Sequence, residues 1–281
     1  MIDLNKQEIV NRSIDYILLN FEKNITIDDL SNQLHISKYY FCRIFKEITG
    51  ESVYAFIKRF KMEQSAIELK INNNQLLSEI GLNYGYSSTN FSSVFKQHYH
   101  SSPSDYRKLA GRLSTVNPFY PEIIECFDSY EAFDSKVQIK ELDSFYIVYE
   151  RTLGNYVDLK EKWQQFIDKN KSCLNEGDLL IERFYSDPSS TTLHNNVCDL
   201  CIPTVEAESF EENFDVITGG KYAVYPFSGS VQDIFREIQG LFSIWLPKSP
   251  YQMTKKYGLT IYRRADFEND HVAIDVCIPI K

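Results

Sequence analysis

The sequence predicts an α+β chain: an N-terminal all-α double helix-turn-helix domain, then a C-terminal α+β domain of two β-β-α-β-β repeats. Three observations carry this. A capped, amphipathic helix pattern recurs at an offset of 50 residues within the first 110. Helical spacing gives way to strand-like alternation beyond about residue 135. Within that second half, two glycine-led helices are each bracketed by strand-like runs.

Taken in order, Lys6 to Asn20 reads as an amphipathic helix with Ile9, Val10, Ile14, Ile17 and Leu18 inward. Ile27 to Leu34 follows as a short helix, opened by Thr26 with Asp29 three residues on, a capping-box pattern. Ser37 caps the next helix, because a serine oxygen accepts a hydrogen bond from a first-turn amide that has no helical partner. Phe41, Ile44, Phe45 and Ile48 give that helix one buried face, while Tyr39, Cys42, Arg43 and Lys46 point away from it. Such outward groups reach base edges and phosphates, and two short helices joined by His35-Ile36 match a helix-turn-helix. Ser52 caps a long helix running to about Ile71, with Phe56, Ile57, Phe60 and Ala66 suited to burial.

Asn72-Asn73-Asn74 breaks that helix, and the pattern starts again. Leu30 maps to Ile80, Ser37 to Ser87, Phe41 to Phe91, Phe45-Lys46 to Phe95-Lys96 and Ser52 to Ser102. The second helix buries Phe91, Val94 and Phe95 and presents Thr89, Ser92, Ser93 and Lys96. Caps, core positions and outward faces repeat together, which an ordinary helical bundle does not require.

Residues 6–110 resemble the DNA-binding domain of AraC/XylS transcription regulators, which joins two helix-turn-helix units by a long helix. Thr26-Ile27-Asp28-Asp29-Leu30, Ser37 with Phe41 to Lys46, and Gly50 carry the first signature. Ile80 to Tyr86, Phe91 with Phe95-Lys96, and Ser102 to Arg107 carry the second. The resemblance implies two recognition helices in successive major-groove turns of double-stranded DNA, roughly 34 Å apart. It places Ser37, Lys38, Tyr39, Tyr40, Cys42, Arg43 and Lys46 at the first DNA contact. Ser87, Ser88, Thr89, Asn90, Ser92, Ser93, Lys96 and Arg107 stand at the second. Arg43 is the strongest candidate for base reading, since its fork matches guanine O6 and N7. Small hydroxyls discriminate bases weakly, so the second helix is expected to add affinity more than specificity. RNA polymerase is implied as a protein partner, and an activator reading an asymmetric site through one chain is the expected role.

Composition sets the outer limits. At 281 residues two domains are expected, and 43% hydrophobic residues with 11 Gly and 9 Pro indicate a globular chain. No apolar run approaches the roughly 20 residues needed to cross a bilayer, so no membrane is expected. Met1 to Lys6 lacks the regions of a signal peptide, so a cytoplasmic location is expected. The net charge of −9 looks wrong for a DNA binder until it is divided. Residues 1–112 hold 14 Lys/Arg against 12 Asp/Glu, and the remainder 16 against 27, so the acidity lies outside the DNA-binding half. Phosphate contacts then depend on local placement of Lys38, Arg43, Lys46, Lys96 and Arg107, with a salt-sensitive but moderate electrostatic contribution.

A linker is expected over 113–134, where Asn117-Pro118 and Tyr120-Pro121 interrupt any pattern. Beyond it, Val137 to Leu142 and Phe145 to Arg151 read as paired strands, Asp158 to Lys169 as a helix, and Leu179–Phe184 and Asn196–Val205 as strands. Phe214–Phe227, a helix over Val231–Leu246, and strands at Leu259–Arg264 and His271–Ile280 repeat that order. Gly154-Asn155-Tyr156 and Gly229-Ser230-Val231 precede the two helices, which carry Trp163 and Trp245.

Residues 135–281 resemble the GyrI-like effector-binding domain through Cys198 to Pro203, Gly219 to Val224, Trp245-Leu246-Pro247 and Ile274 to Ile280. The combined chain is similar in layout to Rob-like regulators, which implies that this half senses a small aromatic effector. In that family a glutamate precedes the hydrophobic-Tyr pair of the penultimate strand and holds a cationic ligand. Leu259-Thr260-Ile261-Tyr262 puts Thr260 there, which removes the main attraction for a cation, so a neutral aromatic is an equal expectation. Asp275 either compensates or is an exposed strand residue. Tyr149, Trp163, Tyr225, Trp245 and Tyr262, with Thr260 and Asp275, form the candidate ligand set, stacking on a flat molecule or serving as plain core.

Six cysteines suggest neither metal nor disulfide: Cys198 and Cys201 lie three apart on a strand and so point to opposite faces. Cys42, Cys126, Cys173 and Cys277 are scattered, as reduced thiols are in a cytosolic protein. His98 and His100 read as structural or surface groups. No glycine-rich phosphate loop or Gly-x-Ser-x-Gly elbow is present, so no cofactor and no enzyme activity are expected. Two alternatives stay open: a hydrolase on the GyrI-like scaffold, with Asp275 or Glu150 facing the cavity, and a C-terminal domain that binds a protein partner.

Overall fold

Side-chain oxygens start most helices of the first unit, and aromatic rings tie them to one spine. The computed structural model describes residues 5–110, 126–155, 158–171, 174, 179–187, 189–204, 213–254, 257–266 and 270–281. They fall into two units, Met1–Lys108 and Leu109–Lys281. In the first, α1 (Lys6–Asn20) is capped by Asn5, α2 (Ile27–Gln33) by the reciprocal Thr26–Asp29 box, and α3 (Lys38–Thr49) by Ser37. Gly50 closes α3 in the left-handed region at φ 78°, and Ser52 opens α4 (Val53–Ile71). Helices α5 (Leu77–Asn83), α6 (Ser88–Tyr99) and α7 (Pro103–Leu109) complete the second copy. The copies differ at one cap: Thr26 opens α2, whereas Leu76 opens α5 with no side-chain acceptor of its own, and Glu79 takes the Leu76 amide instead.

Helix α4 is buried on nearly every side. A chain of rings crosses it: Phe45 meets Phe56 at 5.5 Å, Phe56 meets Phe60 at 6.3 Å, and Phe21 bridges Phe60 to Tyr84 at 5.4 and 5.8 Å. The Lys61 ammonium on α4 donates to the Lys23 and Tyr84 carbonyls, both at 3.0 Å, so one cation ties the two helix-turn-helix copies together. Lys61→Met keeps the apolar stem but leaves both carbonyls unmet, and is expected to cost about 2 kcal/mol of stability. A chemical-denaturation midpoint unchanged from wild type would remove this strut from the account.

The second unit is an eight-stranded antiparallel sheet ordered β1-β6-β8-β7-β3-β4-β2-β5. Its strands are β1 (Gln138–Leu142), β2 (Phe145–Gly154), β3 (Leu180–Phe184), β4 (Asn196–Thr204), β5 (Phe214–Ile217), β6 (Gly220–Ser230), β7 (Gly258–Asp266) and β8 (His271–Pro279). The β-β-α-β-β order holds in both repeats, but β1 does not pair with β2. Each repeat gives its first strand to the other: β1 pairs with β6 and β5 with β2. The same register resumes across the gap at Asp143–Ser144 and Thr218–Gly219, from Gln138↔Val224 to Leu142↔Gly220 and again from Phe145↔Ile217 to Val148↔Phe214, so the chain turns one shared corner there. Gly219 permits the bend, since a Cβ there would lie 2.5 Å from the Leu142 carbonyl oxygen and 2.6 Å from the Ser144 nitrogen.

Helix α9 (Leu159–Lys169) follows β2, and α10 (Ile234–Gly240) follows β6 after a 3-10 turn. The expected single helix over Val231–Leu246 therefore changes hydrogen-bond pattern twice, continuing as a π-helical turn through Leu241–Trp245. Part of the expected linker is structured: α8 (Tyr130–Asp134) lies on the second helix, where a Cβ on Gly240 would meet the Phe133 ring at 2.2 Å. Asn117-Pro118, Tyr120-Pro121, Tyr156 and Cys173 lie outside the described residues.

Candidate nucleic-acid interface and effector site

On α3 the apolar residues Phe41, Ile44 and Phe45 turn inward, which leaves Tyr39, Arg43 and Lys46 exposed and Cys42 half-buried. Tyr39 is 80% exposed, far beyond what a ring used for core packing would show. Tyr40 is half-buried and lies beneath the Arg43 guanidinium at 5.5 Å, so its place is to hold Arg43 rather than to reach outward. Ser37 spends its oxygen on the Tyr40 amide at 3.3 Å. Lys38 pairs with Asp28, an exposed bridge weak enough for a phosphate to replace. Tyr54 on α4, 71% exposed, is an interface candidate that the sequence reading passed over. It lines an open cavity of about 650 Å³ together with Tyr39, Cys42 and the α2 amino terminus.

On α6, Ser87 caps through the Asn90 amide, and Ser88, Thr89, Asn90, Ser92, Ser93 and Lys96 are all exposed. Arg107 departs from the expected phosphate contact. It is half-buried, its Nε and Nη2 are enclosed without a hydrogen bond among the described residues, and burial lowers its pKa.

Register divides the second unit's candidates between two faces, because cross-strand partners share a face and neighbours along a strand alternate. Thr260 pairs with Glu182 on β3 and with Val276 on β8, and Val276 pairs with Tyr225. Glu182, Thr260, Tyr262 and Tyr225 therefore lie on one face, under the helices. Trp163 of α9 meets Tyr262 edge-on at 5.5 Å, and the Tyr262 hydroxyl donates to Glu182 at 3.4 Å. Tyr225 donates to Glu237 and receives the Lys136 ammonium at 3.2 Å. Trp245 turns to α8, donating its indole N–H to Asp134 at 2.9 Å, and stacks on Tyr251.

Tyr149 and Asp275 are the two corrections. Tyr149 pairs with Cys201 in the core of the opposite face, with Arg151 and Arg183 over its ring at 5.5 and 5.4 Å. Asp275 pairs with Ile261, packed against that same core, and bridges the half-exposed Arg263 at 3.2 Å. It cannot replace a carboxylate at Thr260, because a one-residue step on a strand reverses the face. The same alternation separates the two thiols. Cys198 contacts the Thr152 hydroxyl at 2.9 Å under the helices, whereas Cys201 sits in the core of the other face.

Glu182 is the residue the sequence reading missed. Ile181 and Leu259 face Cys201 and Cys277, so Glu182 on β3 is the repeat counterpart of Thr260 on β7. The acid is present after all, on the other repeat and directly opposite the empty position. It is 6% exposed, and burial pushes its pKa up to about 7 against the lowering effect of hydrogen bonds from Tyr262 and Cys198. A carboxyl so placed binds a proton near neutral pH. Matching Asp199 with Asp275 across the Cys198–Pro203 and Ile274–Pro279 runs would have exposed this equivalence in the sequence alone.

A model described as the GyrI-like small molecule binding domain matches residues 135–281. The chain belongs to the GyrI-like family. A helix-turn-helix domain model of the AraC type matches residues 30–109. The TetD protein of transposon Tn10 from Escherichia coli is 32% identical over 90 residues, which span 32% of this chain and 64% of TetD. The regulatory protein SoxS of Salmonella typhimurium is 28% identical over 105 residues, 37% of this chain and 97% of SoxS. The lactose operon transcription activator of Staphylococcus xylosus is 29% identical over 101 residues, 36% of either chain. All three likenesses are with about a third of this chain, which accordingly spans less than two thirds of TetD and of the lactose operon activator. No described helix is long and apolar enough to cross a membrane.

Proposed function

We propose that this protein is a DNA-binding transcription activator whose GyrI-like unit takes up a small aromatic effector that controls it. The exposed α3 face, with Arg43 held over Tyr40, carries the DNA reading. Arg43 and Tyr39 read bases of double-stranded DNA, Lys46 and Lys96 contact phosphates, and the hydroxyl-rich face of α6 supplies affinity more than discrimination. Two reading helices in one chain let a single protomer occupy an asymmetric site. RNA polymerase is the protein partner and the cytoplasm the place of action. The likeness to a transcription activator supports the positive sign of control.

For the effector, the buried pairing of Glu182 with Tyr262 beneath Trp163 favours a flat cation over a neutral ring. The acid draws the charge and the two rings enclose the π surface. Trp163 is 1% exposed, so the effector enters as that ring shifts. A hydrolase would need Asp275 or Glu150 at the cavity, and neither supports it: Asp275 is on the opposite face, and Glu150 is 40% exposed and bridged to Lys169 at 2.8 Å.

Arg43→Ala is expected to weaken binding to a selected operator by roughly 1–3 kcal/mol, with little change on random DNA. Salt-controlled anisotropy on both duplexes checks this. Equal losses on the two would reduce Arg43 to a phosphate contact.

A further inference from the structure

Helix α4 joins the two helix-turn-helix copies and is buried on nearly every side, yet Tyr54 in its first turn is 71% exposed. The fold does not demand a ring there, since the counterpart at the 50-residue offset is Ser104. Tyr54 lines the open cleft of about 650 Å³ together with Tyr39 and Lys38 of α3. Those two residues also stand on the face of α3 that reads DNA, so cleft and reading face are continuous. Tyr54 approaches the second copy as well. Burial raises the pKa of the Tyr86 phenol, in the turn between α5 and α6, and the nearby Tyr54 phenol adds to that rise. Tyr54 therefore stands between the copies, close to residues of both.

The cleft has the chemistry of a sugar-phosphate backbone. Ile25, Ile27 and Ile57 give it an apolar wall, and its charged residues, Lys38 and Asp28, are bridged to each other. Two helices in successive major-groove turns on one face of a duplex leave a minor groove between them, and the backbones bordering that groove run past whatever joins the helices. In this chain the joining element is α4.

We infer that Tyr54 makes a third DNA contact, between the two reading helices: its hydroxyl donates to a backbone phosphate bordering the central minor groove, and the isoleucine wall takes the adjoining deoxyribose. This rests on the reading that α3 and α6 enter successive major grooves. A phosphate carries no base identity, so the contact sets the register of the two helices and does not read sequence. A phenol is neutral, so the contact adds affinity without displacing a counterion.

The test uses the full chain on a duplex selected from random sequence and on an unselected one, with anisotropy read across a salt series. Tyr54→Phe removes only the hydroxyl from an exposed ring, and its melting temperature should match wild type. It is expected to weaken both duplexes alike by about 10-fold, as for loss of a hydrogen bond to a charged group. The slope of log affinity against log salt should not change, whereas Lys46→Ala should reduce it by about one. Ethylation of one or two phosphates between the outer contacts should block wild type and make no difference to Tyr54→Phe. Unchanged affinity of Tyr54→Phe, a loss confined to the selected duplex, or central ethylation that wild type tolerates overturns the inference. If Arg43→Ala still lowers selectivity in that case, the α4 contact alone is wrong and the reading by α3 stands. If Tyr54→Phe behaves as expected and Arg43→Ala does nothing, the contact stands and the reading by Arg43 falls. Absence of binding to either duplex overturns both.

Discussion

Asp199→Ala is expected to cost the strand-rich unit about 3–5 kcal/mol, a large part of the roughly 5–15 kcal/mol that holds a domain folded. Asp199 is fully buried between two arginines, taking Arg151 Nε at 2.8 Å and Arg183 Nη2 at 2.9 Å, with the Tyr185 hydroxyl at 3.1 Å. Removing it leaves two guanidiniums in the interior, of which Arg183 also bridges the half-exposed Asp215 at 2.6 Å. The repeat supplies the control. Asp275 is the counterpart of Asp199, but its partner Arg263 is half-exposed, so Asp275→Ala should cost less than about 1 kcal/mol. Urea unfolding of both variants separates these expectations, and equal losses would mean that burial of the triad contributes nothing particular. Acid should act on the same group. Burial pushes the Asp199 pKa up, but Arg151 and Arg183 outweigh it and hold it below the usual carboxylate value. Its contribution is present above the unfolded pKa near 4 and is lost as pH falls through the lower folded value.

Glu182→Gln is expected to act in the opposite direction. With a folded pKa of about 7 against an ordinary 4.5, Glu182 favours the fold fully below the unfolded value. That contribution disappears as pH rises through the folded value. The buried carboxylate then costs up to about 3 kcal/mol at pH 8. Glutamine is never ionised, so the variant should melt several degrees above wild type at pH 8 and close to it at pH 5. The same variant should lose affinity for aromatic cations while keeping it for neutral rings. A melting difference independent of pH would place Glu182 in water rather than under Trp163.

Local chemistry was legible wherever one residue decides a local bond. Ser37, Ser52, Ser87 and the Thr26–Asp29 box stand where spacing puts them, because capping needs only neighbours along the chain. The outward face of α3 was equally legible, since its inner face is fixed by four apolar residues at helical spacing. The exchange of β1 and β5 was not, because alternation fixes which way a side chain points and says nothing about which strand lies alongside. Glu182 was missed for a related reason. Ile181-Glu182-Arg183-Phe184 buries charged groups on both faces of one strand, where pattern reasoning assigns charge to solvent. Asp275 was overvalued because its equivalence to Asp199 is one of sequence position, while Pro226 and Ile261 stand where Arg151 and Arg183 do in the other repeat.

One chain is proposed to read DNA with two helices under the control of its second unit. Hydroxyl-radical footprinting of the full chain on duplexes selected from random sequence tests it most directly, with and without a bound aromatic cation. Two protected patches are expected about one helical turn, roughly 34 Å, apart on one face of the duplex. They should form at one protomer per site, with an occupancy that the cation changes in wild type and not in Glu182→Gln. A single patch, a selection that yields no preferred sequence, or an occupancy indifferent to the cation in wild type would contradict it.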